Sequence, residues 1–212
     1  MIKENLILIG GGGHCKSCID VIEQEGRFEI KGIVDRKENI GKEVLGYKII
    51  ACDDDLDALA KTYDYFLITL GQLKSSKTRV RLYQSLKLLD KELPVIISPN
   101  AYVSPHATIQ EGTIIMHDVV VNVGVKIGCN SIVNTKALLE HDVYIGNHNH
   151  ISTKAVLNGD VKIGNQCTIG SNSTVIQGIK IANEIVLGAG AVVTKNLEKR
   201  GIYVGVPAKK ID

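Results

Sequence analysis

The chemistry this 212-residue chain could do is concentrated in its histidines and in one run of four glycines. His141 is followed directly by Asp142, and His148 and His150 lie within the next nine residues. An imidazole titrates near neutral pH, so a histidine with a carboxylate beside it can serve as a general base. The same pair is also what a surface histidine at a turn looks like, and the residues alone leave that choice open. Three nitrogens from His141, His148 and His150 could in principle hold zinc. Gly10-Gly11-Gly12-Gly13-His14 follows the apolar run Leu6–Ile9 and leads into a helix-like stretch ending at Gly26. A glycine loop opening a helix suits phosphates, yet the third glycine of the dinucleotide fingerprint is absent, because Cys15 and Lys16 occupy its candidate positions. Asp35 closes a second apolar run and could meet a ribose hydroxyl or a base edge. These features also raise a nicotinamide-dependent dehydrogenase, against which the broken fingerprint and the short domain both count. Cys15-Lys16-Ser17-Cys18 has redox spacing at a helix start, where the dipole would lower a thiol pKa. No thioredoxin-like order of elements surrounds it, and two small helix residues are the simpler account.

The elements that must position these groups follow two different rhythms. From Asn5 to about Ile97, apolar runs alternate with helix-like stretches: Leu6–Ile9, then Ile30–Val34, then Tyr65–Ile68 as a third strand, with a helix over Thr78–Leu89. Strands alternating with helices imply a parallel sheet with crossover helices. After Pro99 every sixth residue from Val103 to Val193 is Val, Ile or Leu, sixteen positions without a slip. Chance would give this on the order of once in tens of millions of tries. A six-residue step fits a solenoid in which each hexad forms one flat side of a coil. The residue four later is mostly small or aliphatic (Ala107, Val119, Val125, Ser131, Ala137, Val143, Ala155), and glycine often follows the inward residue (Gly128, Gly146, Gly164, Gly170, Gly188), where a corner is expected. Two domains are expected, an α/β Rossmann-like domain over 1–98 and a β-solenoid over 99–212.

Composition narrows the classes. Apolar residues make up 44%, charged residues 23%, and the formal net charge is +2. Lys and Arg are scattered and aromatics for base stacking are scarce, so nucleic acid is not an expected partner. The apolar run Leu6–Ile9 is too short for a membrane span or a signal peptide, and the five cysteines form no disulfide pattern. A cytoplasmic address with reduced thiols is the expectation.

The hexads, the Gly-rich α/β domain before them and the segment Gly205-Val206-Pro207-Ala208-Lys209 together resemble the bacterial hexapeptide-repeat acyltransferases that acetylate nucleotide-linked 4-amino sugars, with the sialic acid O-acetyltransferases as close relatives. The resemblance covers nearly the whole chain. It implies a left-handed parallel β-helix, a homotrimer with active sites between subunits, acetyl-CoA as co-substrate and no metal. It makes His141 the general base with Asp142 as its carboxylate (Glu140 being the weaker choice), and sets His150, Gly159 and Asn134 around the acetyl group. Gly170, Gly188, Ala189, Gly190, Lys195, Pro207 and Lys209 would line acetyl-CoA. Gly13, His14, Asp35, Gly71 and Arg79 would bind the nucleotide-sugar. The chain departs from the family with Lys154 where relatives commonly carry glycine, with Cys15 after the histidine, and with Gln72 after the glycine, which leaves the nucleotide open. O-acetylation of a sialic acid, a zinc-dependent hydratase and a non-enzymatic trimeric scaffold are the alternative readings; the last would leave the His141–Asp142 pair without a purpose.

Overall fold

A computed structural model describes residues 3–72 and 75–211. The N-terminal layer is a five-stranded sheet formed by β1 (Glu4–Ile9), β2 (Phe28–Val34), β3 (Glu43–Val44), β4 (Tyr47–Ala51) and β5 (Tyr65–Ile68), in the order β3-β4-β2-β1-β5. The pairs β1–β2, β1–β5 and β2–β4 are parallel. Strand β1 lies between β2 and β5 and its Leu6, Ile7, Leu8 and Ile9 are buried, as a doubly covered parallel strand requires. Helix α1 (Gly13–Glu25) buries Cys15, Cys18, Ile19, Val21 and Ile22 on one side, and α2 (Lys77–Leu88) buries Arg79, Leu82 and Leu86 on the other. The β3–β4 hairpin precedes the strand expected as the third. Its two-residue turn places Leu45 at φ 49° and Gly46 at φ 83°, the two left-handed positions of a type I′ turn. A leucine at the first of them hides the hairpin from the usual Asn-Gly signal.

The rest of the chain is the left-handed parallel β-helix that the hexads imply. Its three faces repeat every 18 residues, as in the pairing of Val121 with Leu139 and Leu139 with Leu157. From Ile115 to Val193 every sixth residue is buried, and Val119, Val125, Ser131, Ala137, Val143 and Ala155 are buried with them. The corners differ from expectation. The glycines after the inward residues are not in the left-handed region; instead, from Ile109 to Leu187, the residue three after each inward one is. Asp118, Asn130, Lys136, Asp142, His148, Lys154, Asp160, Gln166, Asn172 and Glu184 all have φ between 50 and 60° or just above, with glycine at 112, 124, 178 and 190. Glycine follows the inward residue because the coils stack there without room. A Cβ on Gly128 would lie 2.6 Å from the backbone of Gly146.

Each face of the prism has its own outward chemistry. On one, Ile96, Ile114, Ile132, His150 and Thr168 are buried beneath the N-terminal layer. On the second, Val120, Leu138, Val156, Thr174 and Val192 are half-buried, with Tyr102 exposed at the end of the row. The third carries Lys126, Tyr144, Lys162 and Lys180, all exposed. Among the described residues no helix is long and apolar enough to cross a membrane.

Candidate active site

His141 occupies the corner between the apolar and the lysine faces. Its Nδ1 lies 3.0 Å from Asp142 Oδ2, and both side chains are more than half exposed. Asp142 is held at φ 60° by the corner, a conformation that aspartate tolerates better than most residues. The other ring nitrogen points at the next coil, where Gly159 lies: a Cβ built on Gly159 would be 2.5 Å from His141 Nε2. At comparable corners an asparagine caps the following N–H, as Asn122 Oδ1 does for Val123 at 3.1 Å and Asn134 Oδ1 for Thr135 at 2.8 Å. Asn158 instead donates its side-chain amide to Val175 O at 2.9 Å. The Gly159 N–H is thereby left without a partner among the described residues, beside the histidine. Glu140, His141, Asn158, Gly159, Gln177 and Gly178 line an open cavity here. Glu140 itself accepts a hydrogen bond from Asn122 Nδ2 at 3.1 Å.

His150 lies half a coil further on, on the face covered by the N-terminal layer, so one chain sets it on the opposite side of the prism from His141. Its Nδ1 is 2.5 Å from Gln72 O and its Nε2 is 3.3 Å from Asn134 Nδ2. Burial holds its pKa below the ordinary histidine value despite the Gln72 carbonyl. His14, at the start of α1, reaches the same seam, with its ring 6.5 Å from that of His150. Its buried Nε2 has no partner among the described residues, and burial, with Arg79 and His150 nearby, pushes its pKa down to about 3.

The residues expected to bind the nucleotide-sugar separate into two groups. Gly10, Asp35, Cys52, Asp54, Gly71 and Arg79 are among those lining a cavity of about 500 Å³ at the carboxyl end of the parallel strands, where open α/β sheets bind ligands. Asp35 accepts the N–H of Gly11 at 2.8 Å and of Arg36 at 2.6 Å, and a side chain at Gly11 would collide with its Oδ2. Gly13 is unobstructed. Arg79 lies on the cavity wall, but its guanidinium is buried and bonded inward. It donates to the carbonyls of Ile68 (3.1 Å), Leu70 (2.7 Å) and Asn130 (3.0 Å), and to Asn130 Oδ1 (2.8 Å). Burial lowers its pKa to about 10. Arg79 therefore ties β5 to the β-helix. Cys52, Asp54, Ser75 and Thr78 line the same cavity without belonging to any motif; the acidic run Asp53–Asp55 is the one trace of this wall in the sequence.

Of the residues expected to line acetyl-CoA, Ala189, Gly190, Lys195, Pro207 and Lys209 are exposed near the carboxyl-terminal coils. Lys209 pairs across a hairpin with Val204. Gly170 is fixed by coil stacking, since a Cβ there would meet Leu187 O at 2.4 Å, and one on Gly188 would meet Val204 Cγ1 at 2.8 Å. His148 belongs elsewhere. Its Nδ1 lies 3.0 Å from Asn130 Nδ2 and its ring packs edge-on against Tyr83, so the three histidines do not converge. Among the described residues no three His, Cys, Asp or Glu side chains are placed to hold a metal ion. Cys15 and Cys18 are buried; burial raises the Cys15 thiol to about 11 and Cys18 further still, the reverse of an activated redox pair.

Residues 5–86 match the PglD N-terminal domain family, and residues 160–195 match the hexapeptide repeat of succinyl-transferase. Fold and repeat thus define a hexapeptide-repeat acyltransferase. More particularly, its N-terminal match and its solved structural neighbours are to PglD-like sugar acetyltransferases. It is 29% identical to a His-to-Asn variant of perosamine N-acetyltransferase from Caulobacter crescentus, solved with CoA and GDP-perosamine. That match covers 98% of this chain and 97% of the other, with a TM-score of 0.92. It is also 29% identical to the acetyltransferase domain of PglB from Neisseria gonorrhoeae, over 99% and 100% of the two chains with a TM-score of 0.91; that domain has been solved with acetyl coenzyme A as well. WeeI from Acinetobacter baumannii, at 22% identity and TM-score 0.86 over 99% and 100% of the two chains, shares the fold.

Proposed function

We propose that this protein transfers the acetyl group of acetyl-CoA to the amine of a nucleotide-linked 4-amino-dideoxy sugar, with His141 as general base. The observation that carries the reading is the corner itself: a histidine with a carboxylate on Nδ1 and its Nε2 turned to the uncapped Gly159 N–H. A sugar ammonium must lose a proton before its nitrogen can attack a thioester. His141 Nε2 takes that proton, Asp142 holds the Nδ1–H and stabilises the imidazolium, and the nitrogen lone pair forms the bond to the acetyl carbon. The carbonyl oxygen becomes negative only in the transition state, and the Gly159 N–H is free to receive it there. Collapse breaks the carbon–sulfur bond; the departing thiolate takes the proton held by His141, and the second proton of the attacking nitrogen passes to water, which leaves the neutral amide. No acyl-enzyme is required, and none of the cysteines is at this corner.

The complete site is read as lying between two copies in a homotrimer. Two features support that assembly. The half-buried row Val120, Leu138, Val156 and Val192 is an apolar face without a cover in one chain. The His141 corner and the seam at His150 and Asn134 lie on opposite sides of the prism, so a neighbour must bring the second half to the first. The 500 Å³ cavity, with Asp35 and Gly71 in its wall, is the place for the nucleotide. An enzyme that consumes acetyl-CoA and a nucleotide-sugar belongs in the cytoplasm, where both are made.

The test is a thiol-release assay with acetyl-CoA against UDP-, dTDP- and GDP-linked 4-amino-dideoxy sugars, with free sialic acid alongside. Turnover with one nucleotide-amine is the expected result and names the nucleotide. Turnover with sialic acid alone would make the protein an O-acetyltransferase, and silence across the panel would overturn both.

A further inference from the structure

The loop after β5 connects the nucleotide cavity to the seam at His150. Gly71 and Ser75 line the cavity, whereas Gln72 and Ser76 turn the other way and are almost completely buried, at 1% and 4% exposure. Gln72 Nε2 lies 3.2 Å from Cys167 O and 3.4 Å from Thr168 Oγ1, and Ser76 Oγ donates to Gln166 Oε1 at 2.9 Å. Two side chains thus fasten the loop to successive residues of one β-helix coil. The main-chain carbonyl of Gln72, held by that anchorage, sits 2.5 Å from His150 Nδ1.

A carbonyl only accepts, so His150 Nδ1 carries a proton. On the other side of the ring, Asn134 Oδ1 accepts the Thr135 N–H at 2.8 Å, which orients the amide NH₂ toward His150 Nε2 at 3.3 Å. An amide nitrogen only donates, so Nε2 must present its lone pair. The two contacts together admit one state of the ring: neutral, with its proton on Nδ1.

We infer that Gln72 is a positioning residue for His150, fixing its tautomer and its place in the seam through the loop that also walls the nucleotide cavity. The inference rests on the acetyltransferase reading for its kinetic consequence only. In that state both ring nitrogens are occupied, Nδ1–H by the Gln72 carbonyl and the Nε2 lone pair by Asn134, so His150 packs against the acetyl group as a fixed neutral ring and donation to the developing oxyanion falls to Gly159 N–H at the neighbouring copy's corner. An asparagine at 72 would be a methylene too short to hold both contacts on the coil, so the glutamine is specific to this loop geometry.

The test uses the full-length protein with 15N-labelled histidine, His150 being identified by the signal lost in His150→Gln. In the unmodified protein, without substrates, the His150 ring should be neutral with its proton on Nδ1. Gln72→Met keeps the buried volume and removes the two side-chain contacts; there the His150 signals should shift toward exchange between tautomers, and kcat should fall about tenfold, the scale of one or two lost hydrogen bonds. Gln72→Asn should behave like Gln72→Met. A proton on Nε2 in the unmodified protein overturns the inference, as does a folded Gln72→Met with an unchanged His150 spectrum and unchanged kcat. Since the spectra are taken without substrate, they stand or fall separately from the identity of the sugar.

Discussion

The imidazole of His141 lies where a side chain on Gly159 would have to be, with Nε2 2.5 Å and Cε1 2.6 Å from the position of a Cβ at 159. One coil therefore supplies the histidine proposed as base, and the next leaves both the room for it and an N–H without a partner among the described residues. The glycine is needed for space and not for backbone conformation, because its φ is outside the left-handed region.

Gly159→Ala should accordingly fold normally and lose turnover. The atoms in its way are the end of a side chain that can rotate, so the thermal midpoint should change little. The displaced base should lower kcat by about 10²-fold, the scale of a misplacement near 1 Å. Adding Gly159→Ala to His141→Ala should cost almost nothing more, since both changes remove one function. A double variant much slower than His141→Ala alone would show that Gly159 acts independently of the histidine.

His141→Ala should lower kcat by about 10²–10⁴-fold while leaving the oligomer intact. Asp142→Asn keeps an acceptor for the Nδ1–H but removes the charge that stabilises the imidazolium. It should give a smaller loss, about 10-fold, in kcat. Steady-state kinetics with size-exclusion chromatography checks both. Full activity in His141→Ala would remove the histidine from the mechanism.

Much of this was legible in the sequence because burial inside a coil leaves a strict six-residue record from Val103 to Val193. The corners left no such record. Lys136, His148, Lys154 and Glu184 take the left-handed conformation as Asp118 and Asn130 do, since the stacking of the coils imposes it whatever residue is there. The β3–β4 hairpin was missed for the related reason that Leu45 holds a position usually given to Asn or Gly. In the site, Asp142 beside His141 is a local pair and was visible. The contacts of His150 with Gln72 and of Arg79 with Asn130 join residues 78 and 51 positions apart, and no periodicity reports them. A similar long-range contact, His117 Nε2 to Asp20 Oδ2 at 2.8 Å with Ser98 Oγ at 2.7 Å from Nδ1, has the order of a catalytic triad. Ser98 is buried at 1% exposure and also accepts the Asn100 N–H, so the trio joins α1 to the β-helix.

Asp35→Ala should raise the KM for the nucleotide-sugar by about 10–100-fold, the range for a lost hydrogen bond to a charged group. Its carboxylate orders the Gly11 and Arg36 amides in the cavity, and none of the residues proposed for acetyl-CoA lines that cavity. Acetyl-CoA affinity, measured by calorimetry, should be unchanged. A weakened acetyl-CoA complex would contradict the division into two binding regions.

Stability should fall as the solution is acidified through the histidine range, and His14 should be a main cause. Its folded pKa is depressed to about 3 from an unfolded value of 6.5, by burial first and then by Arg79 and His150. Above pH 6.5 neither state binds a proton there, so the ring adds no pH dependence. Between pH 6.5 and about 3 the unfolded chain binds a proton that the folded one refuses, and the equilibrium shifts toward unfolding as pH drops. His148 and His150, also depressed by burial, act in the same direction, so removing His14 alone should flatten the dependence without abolishing it. Thermal midpoints of the parent and of His14→Gln, taken from pH 7.5 down to pH 5, should converge as the pH falls if the variant starts lower. Parallel curves would mean that His14 is protonated in the folded protein and has a partner in the seam after all.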